Sequence, residues 1–353
     1  MLSRVEKFEV ALKQTECDAV LVTNLKNIYY LTGFSGTEAT VFISKNRRIF
    51  LTDSRYTLIA KGVVKGFDIV ETRDALSEIA KIIADDKIEK IGFDDQVSYA
   101  YFKMLKSVFA AYELIPMSSF IENLRMIKDA EEIDTIRKAC QISDQAFLDV
   151  LDFIKPGETT ELAVMNFLDA RMRKLGASGA SFDFIIASGY RSAMPHGVAS
   201  EKVIQTGETL TMDFGCYYNH YVSDMTRTIH VGHVTDEERE IYDIVLCANK
   251  ALIDQAKAGV SRIDFDRIPR QIINDAGYGT YFTHGIGHGI GLDIHEIPYF
   301  GKSSEPIEAG MVLTDEPGIY LDGKYGVRIE DDILITDTGC ELLTLAPKEL
   351  IVI

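Results

Sequence analysis

The sequence predicts an α+β protein in two parts: a small N-terminal α/β domain, residues 1–125, and a larger C-terminal α+β domain, residues 126–353. Three observations carry this. The chain has 353 residues, and domains usually run to roughly 100–200 residues each. Its first third alternates short β-branched segments with amphipathic helical patterns, as α/β domains do. The remainder mixes runs of helical pattern with Gly-rich, strand-like runs, which is an α+β arrangement.

In the first domain, strands are expected at 18–23, 39–43, 48–52, 67–70 and 89–93, with helices at 3–14, 74–85 and 98–110. A boundary is expected between 118 and 130. Asp129 followed by Glu132 forms a capping pair. Ile133, Ile136, Cys140, Phe147, Val150, Leu151 and Ile154 then keep a helical stripe, until Lys155-Pro156-Gly157 stops it. Another helix follows over 159–175, and two more open at Thr235 with Glu238 and at Ser261 with Asp264.

Composition bounds the function. Hydrophobic residues make up 46% of the chain and charged residues 26%, which supports real cores and excludes global disorder. Lys and Arg number 37 against 54 Asp and Glu, a net charge of −17. Nucleic acid is therefore excluded as the main partner, because phosphate recognition needs clustered basic residues. No run of about 18 apolar residues is present, so neither a spanning helix nor a membrane partner is expected. The opening MLSRVEKFEVALKQ is charged throughout and lacks the apolar core of a signal peptide. Five scattered cysteines without a C-x-x-C pair fit buried free thiols in a reducing cytoplasm.

All seven histidines lie between His196 and His295, which directs attention to the second domain. Segment 209–231, TLTMDFGCYYNHYVSDMTRTIHV, reads as two strands about a turn. A hairpin centred on Tyr218-Asn219 sets Asp213 directly opposite Asp224, with Cβ atoms about 5 Å apart. Like charges at that distance destabilise a sheet unless neutralised, and a bound cation neutralises them. Two exposed aspartates in a different register are the alternative.

Segment 282–298, FTHGIGHGIGLDIHEIP, gathers His284, His288 and His295 among Gly285, Gly287, Gly289 and Gly291. That glycine density disfavours a helix. In an extended strand His284 and His288 share a face, and the glycines let a ligand approach the backbone. In 313–336, Glu316 and Glu330 lie symmetrically about Gly323, so a second hairpin brings two carboxylates near each other. Arg328 shares the face of Glu330, Asp331 points to the opposite face and Asp332 back again. A solvated charged edge is the alternative. Mostly carboxylates, with imidazole, suit two divalent ions, Mn2+ before Zn2+, and not a closed structural zinc site. Two such ions about 3.5–4 Å apart generate a hydroxide and polarise a carbonyl, so the residues point to a dinuclear metallohydrolase.

The ordered segments MDFG, SDMTRT, HGIGHGIGLDIHE, DEPGIY and GVRIEDD closely resemble those of the aminopeptidase P and prolidase family, metallopeptidases of the pita-bread fold that act on bonds preceding proline. SFDFIIASGYRSAMPHG, RMIKDAEEIDTIRKA and, in the first domain, LTGFSG and LTDSRY extend the resemblance over essentially the whole chain. It implies a creatinase-N-like first domain and a pita-bread catalytic domain. It further implies Asp213, Asp224, His288, Glu316 and Glu330 as ligands of two divalent ions, Mn2+ first and then Co2+ or Zn2+, with Asp224 and Glu330 bridging. Glu316 would also be the general base. His196, His284, His295 and Arg328 would surround the substrate and the developing oxyanion. Asp315 stands where many relatives carry an apolar residue, adding a charge near the site.

The implied activity is hydrolysis of the Xaa-Pro bond at the N-terminus of peptides, of aminopeptidase P type, by a hydroxide held at the two ions. The alternative is an Xaa-Pro dipeptidase on the same scaffold. Methionine aminopeptidase shares the fold and ligand order but usually lacks the first domain and the R-x-E arrangement of Arg328 and Glu330. Creatinase-like enzymes do not keep the five ligands. A binding module that has lost catalysis is disfavoured by the intact ligands. The implied partners are short proline-containing peptides and further copies of the chain, as a homodimer or higher even-numbered oligomer, in the cytoplasm. Arg55 of LTDSRY would pair with a carboxylate across a domain contact.

Overall fold

A computed structural model describes residues 2–353. The chain divides into two compact units, Met1–Arg125 and Met126–Ile353.

In the first unit, a mixed six-stranded sheet runs in the order Asp68–Glu71, Arg48–Thr52, Thr40–Ser44, Ala19–Val22, Lys90–Asp94, Glu113–Met117. The strands Ala19–Val22 and Thr40–Ser44 are buried along their whole length. They therefore read as continuous apolar runs, not alternating ones. Glu113–Met117 was not expected: its sequence ELIPM contains a proline and has no fully buried residue, the marks of an edge strand. The expected helices form as Arg4–Leu12, Ala75–Ile82 and Tyr99–Val108, capped by Ser3, Asp74 and Ser98. Three short helices, Leu25–Thr32, Thr57–Val63 and Phe120–Arg125, are additional. Arg55 has a carboxylate partner within its own unit, and its side chain stays largely exposed. Its guanidinium donates to both oxygens of Asp53, two residues back, at 2.6–3.1 Å.

The second unit holds two helix pairs, Ala130–Leu151 with Glu161–Lys174 and Asp236–Gln255 with Arg262–Asp275. The cap side chains of Asp129, Thr160, Thr235 and Ser261 each accept from a first-turn amide, so the helix starts are set locally. The first pair packs Phe147, Leu168 and Met172 against Ile186, Met212 and Ile229 of the sheet Ile185–Ser188, Thr209–Phe214, Met225–His230. The second pair packs Val245, Leu252 and Phe265 against Leu313, Val327 and Ile333. Among the described residues, the named strands of this unit all pair antiparallel, and a lone parallel bridge joins His230 to Val352. Each half is thus a helix pair over antiparallel strands.

The two expected hairpins fare differently. Gly318–Leu321 and Tyr325–Arg328 pair about a turn containing Gly323, whose φ of 72° suits glycine, and Gly318 faces Arg328. This is the register in which Glu316 and Glu330 are symmetric. The 209–231 hairpin is displaced by one residue. Its turn is Asn219-His220, with φ of 45° and 73°, the geometry that two-residue hairpins favour. Asp213 therefore faces Thr226, not Asp224. Asp224 becomes its diagonal neighbour on the same face, because the separation along the strand is even.

All five cysteines are free; Cys17, Cys140 and Cys216 are buried and Cys340 half-buried, but Cys247 is exposed, against expectation. No helix of the described residues is long and apolar enough to cross a membrane.

Candidate active site

A cleft of about 570 Å³ in the second unit is lined by Asp213, Asp224, His288, Glu316 and Glu330 together with His196, His284, His295 and Arg328. All nine residues singled out in the sequence thus line one cavity. They arrive on four segments: the first hairpin brings the aspartates, the Gly-rich stretch three histidines, the second hairpin the glutamates and Arg328, and the loop after Ile185–Ser188 brings His196.

One ligand atom each from Asp224, His288 and Glu330 lies within 4.8 Å of the others, and all three residues are buried. The imidazole of His288 is held by its Nδ1, which donates to the Gly289 carbonyl at 3.2 Å. This fixes Nε2 as the lone-pair nitrogen, 3.7 Å from Asp224 Oδ2 and from Glu316 Oε1. Burial, then the neighbouring His295, push the His288 pKa down to about 4, so the ring is neutral at pH 7. A Cβ on Gly289 would come 2.5 Å from the Ile297 carbonyl oxygen; glycine here is what lets the flanking strand approach.

Burial, and then the Glu330 and Asp213 charges, hold Asp224 well above the usual carboxylate range. Burial likewise raises Glu330 well above it, with Glu316 and Asp213 adding to the effect. Glu316 is pushed up to about 7 by burial, opposed by Arg328. Asp213 is raised by burial against the pull of Arg328. It accepts from Arg328 on Oδ2 at 2.7 Å, while its buried Oδ1 has no protein partner. Crowded carboxylates, a neutral imidazole and an unpartnered oxygen facing one cleft are the chemistry of a divalent-cation site.

Arg328 lines the cleft, as expected of a residue near the substrate, and is also tied into the protein. Besides Asp213, it donates to Tyr320 Oη at 2.8 Å, Thr226 Oγ1 at 3.0 Å and the Pro195 carbonyl at 3.2 Å. Most of its donors are committed to protein groups. His284 is similarly engaged: Nδ1 contacts the Gly285 carbonyl and Nε2 the Tyr320 hydroxyl, both at 2.8 Å. Burial, then Arg328, lower its pKa to about 4. His196 and His295 are exposed at the mouth, with the His295 ring 4.3 Å from that of His288. Asp315 points away from the cleft, accepting from Asn249 Nδ2 at 3.1 Å.

Sequence reasoning missed several supports. Thr226 donates to Glu330 Oε2 at 2.6 Å. Asp332 accepts from the Asp224 amide at 2.9 Å. Tyr320 links Arg328 to His284. The register about Gly323 already made Tyr320 a diagonal neighbour of Arg328, so that signal was available. Glu161, wholly buried, accepts from the amides and hydroxyls of both Ser188 and Ser200, pinning both ends of the segment that carries His196.

Next to His295, Lys128 Nζ donates to Glu296 Oε1 at 2.7 Å, both side chains almost wholly buried. Lys128→Met removes the ammonium from a buried carboxylate and is expected to cost about 3–5 kcal/mol. Urea denaturation measures this; a variant as stable as the parent would refute it.

Antiparallel layers under two helix pairs, enclosing a carboxylate-rich cleft, define the class of pita-bread metallohydrolases. Residues 134–337 match the model of metallopeptidase family M24, and residues 4–127 that of the creatinase/prolidase N-terminal domain. The chain belongs to this metallopeptidase family, and it is a hydrolase. It is similar to a solved Xaa-Pro dipeptidase from Bacillus anthracis, with 45% identity, 99% of each chain covered and a TM-score of 0.96. It is 38% identical to the Xaa-Pro dipeptidase of Pyrococcus furiosus, over 99% of this chain and 100% of that one. A solved X-Pro aminopeptidase from Thermotoga maritima is 39% identical, with 98% of this chain and 100% of that one covered and a TM-score of 0.91.

Proposed function

We propose that this chain is a metal-dependent Xaa-Pro dipeptidase. The carrying observation is the full-length similarity to proteins named Xaa-Pro dipeptidase at 45% and 38% identity. These relatives favour the dipeptidase alternative over the aminopeptidase P type that the motifs first suggested. The Thermotoga relative, named an aminopeptidase, keeps that type as the second reading.

Asp213, Asp224, His288, Glu316 and Glu330 would hold two divalent ions, with Mn2+ the first candidate for a mostly oxygen donor set. When bound, such ions polarise a carbonyl oxygen and acidify water. Glu316, half-buried and with its pKa pushed to about 7, is suited to take a proton from the attacking water and pass it to the proline nitrogen as that nitrogen leaves. His295 and His196, at the mouth, would orient the substrate and donate to the developing oxyanion. Arg328 would hold Asp213 and Tyr320, and Tyr320 in turn fixes the neutral ring of His284.

Xaa-Pro dipeptides assayed against Xaa-Pro-Yaa tripeptides, with Mn2+ added, test the substrate reading. Faster turnover of the tripeptides would reinstate the aminopeptidase type. His295→Ala is expected to lower kcat by roughly 10²–10³-fold, the effect of losing one oxyanion donor, with metal content unchanged. Metal loss in that variant would instead make His295 part of the metal shell. Assembly as a homodimer, or a higher even-numbered oligomer, belongs to the same proposal, and light scattering tests it.

A further inference from the structure

Immediately beside Glu316 and Glu330 in the chain stands a second pair of acids. Asp315 and Asp331 face each other directly in the ladder of Val312–Asp315 with Asp331–Ile335. Both are buried. Each is the immediate neighbour of a proposed metal ligand, so a shift of its backbone is a shift of that ligand. Like charges placed opposite each other strain a sheet unless they are neutralised.

Two cations meet this pair. Arg227 Nη2 donates to Asp331 Oδ1 at 2.7 Å, and its Nη1 donates to the Glu330 carbonyl at 2.5 Å. Lys348 Nζ donates to Asp331 Oδ2 at 2.6 Å and to Asn249 Oδ1 at 2.7 Å. The Asn249 amide then donates to Asp331 Oδ2 and to Asp315 Oδ2, each at 3.1 Å. Lys348 therefore grips both acids, one directly and one through Asn249. Asp315 Oδ1 is buried without a protein partner, so Asn249 is the tie that Asp315 depends on. The lysine is delivered by the C-terminal segment, which is itself anchored: Asp144 accepts from the amides of Leu345 and Ala346 at 2.8–2.9 Å, and Thr344 donates to Asp331 at 3.1 Å.

We propose that Lys348 is a positioning residue that sets the metal affinity of the cleft, by clamping Asp331 and Asn249 behind Glu330 and Glu316. The inference rests on the ligand assignment above. Groups behind metal ligands typically change affinity by about 10–100-fold when removed.

The test is titration of the metal-stripped, full-length protein with Mn2+ by calorimetry. Lys348→Met is expected to weaken Mn2+ binding by about tenfold or more, with near-ultraviolet circular dichroism unchanged. Lys348→Arg is expected to recover most of the affinity. Equal affinity in a folded Lys348→Met, or an Arg variant as weak as the Met variant, overturns the proposal. Should Lys348→Met not fold, Lys348→Gln decides, since it keeps a donor toward Asn249 and loses only the charge; parent-like affinity there overturns it equally. A parent protein that binds no Mn2+ would overturn the ligand assignment itself, an outcome distinct from a parent that binds and a variant that matches it.

Discussion

Asp224→Asn should reduce kcat/KM for an Xaa-Pro dipeptide by at least about 10³-fold, and Glu330→Gln should do the same. Each change keeps the shape of the side chain and removes one negative charge. Asp224 and Glu330 are buried and, with His288, bring their ligand atoms within 4.8 Å of one another. Their crowding is tolerable only if a cation or a proton sits among them, as their raised pKa values indicate. Metal-ion catalysis contributes several kcal/mol of transition-state stabilisation, and about 4 kcal/mol corresponds to roughly 10³ in rate. Kinetics paired with metal analysis by mass spectrometry checks this. A variant with a full metal complement and near-parent activity would remove its residue from the ligand set.

The charged residues of this site were legible because charge and spacing are local facts. Glu316 and Glu330 could be matched through Gly323, since a glycine at a left-handed turn position marks the centre of a hairpin. The same logic applied to 209–231 put the turn one residue early. It weighed Tyr218-Asn219, whereas Asn219 and His220 are the pair that take positive φ. Side chain alternation rescued the outcome: Asp213 and Asp224 remain on one face, diagonal and not opposite.

What stayed hidden were the neutral and long-range supports. Thr226 and Tyr320 carry no charge to draw attention, yet each joins two ionisable groups of the cleft. Arg328 reaches Asp213 across 115 positions of sequence. Nothing in the sequence says that most of its donors meet protein groups. Likewise Asp315 reads as one more charge beside Glu316, and only the ladder shows it turned toward Asn249. In the first unit, Glu113–Met117 escaped because a short, half-exposed edge strand with a proline lacks both alternation and a continuous apolar run.

The thermal midpoint of Mn2+-loaded protein should exceed that of metal-stripped protein by a margin that widens as pH rises from about 5 to about 7.5. In the stripped protein, burial lifts the Glu316 pKa from 4.5 to about 7. Asp224 and Glu330 are raised in the same direction by burial, with the Glu330 charge adding at Asp224 and the Glu316 charge adding at Glu330. A carboxyl whose folded pKa is raised binds its proton more tightly when folded than when unfolded. Its stabilising contribution is therefore complete below the unfolded pKa near 4.5 and is lost as pH climbs through the folded pKa near 7. For Glu316 alone the loss is about 3 kcal/mol. Divalent ions reverse the demand: they bind the deprotonated carboxylates, so the loaded protein is not penalised over this window. Groups remote from the cleft titrate alike in both forms and cancel in the difference. The measurement is a pair of melting curves at each pH, one with Mn2+ and one with chelator. A margin that stays constant, or narrows toward neutral pH, would mean that the cleft carboxylates do not hold protons in the stripped protein and that the ions do not replace them.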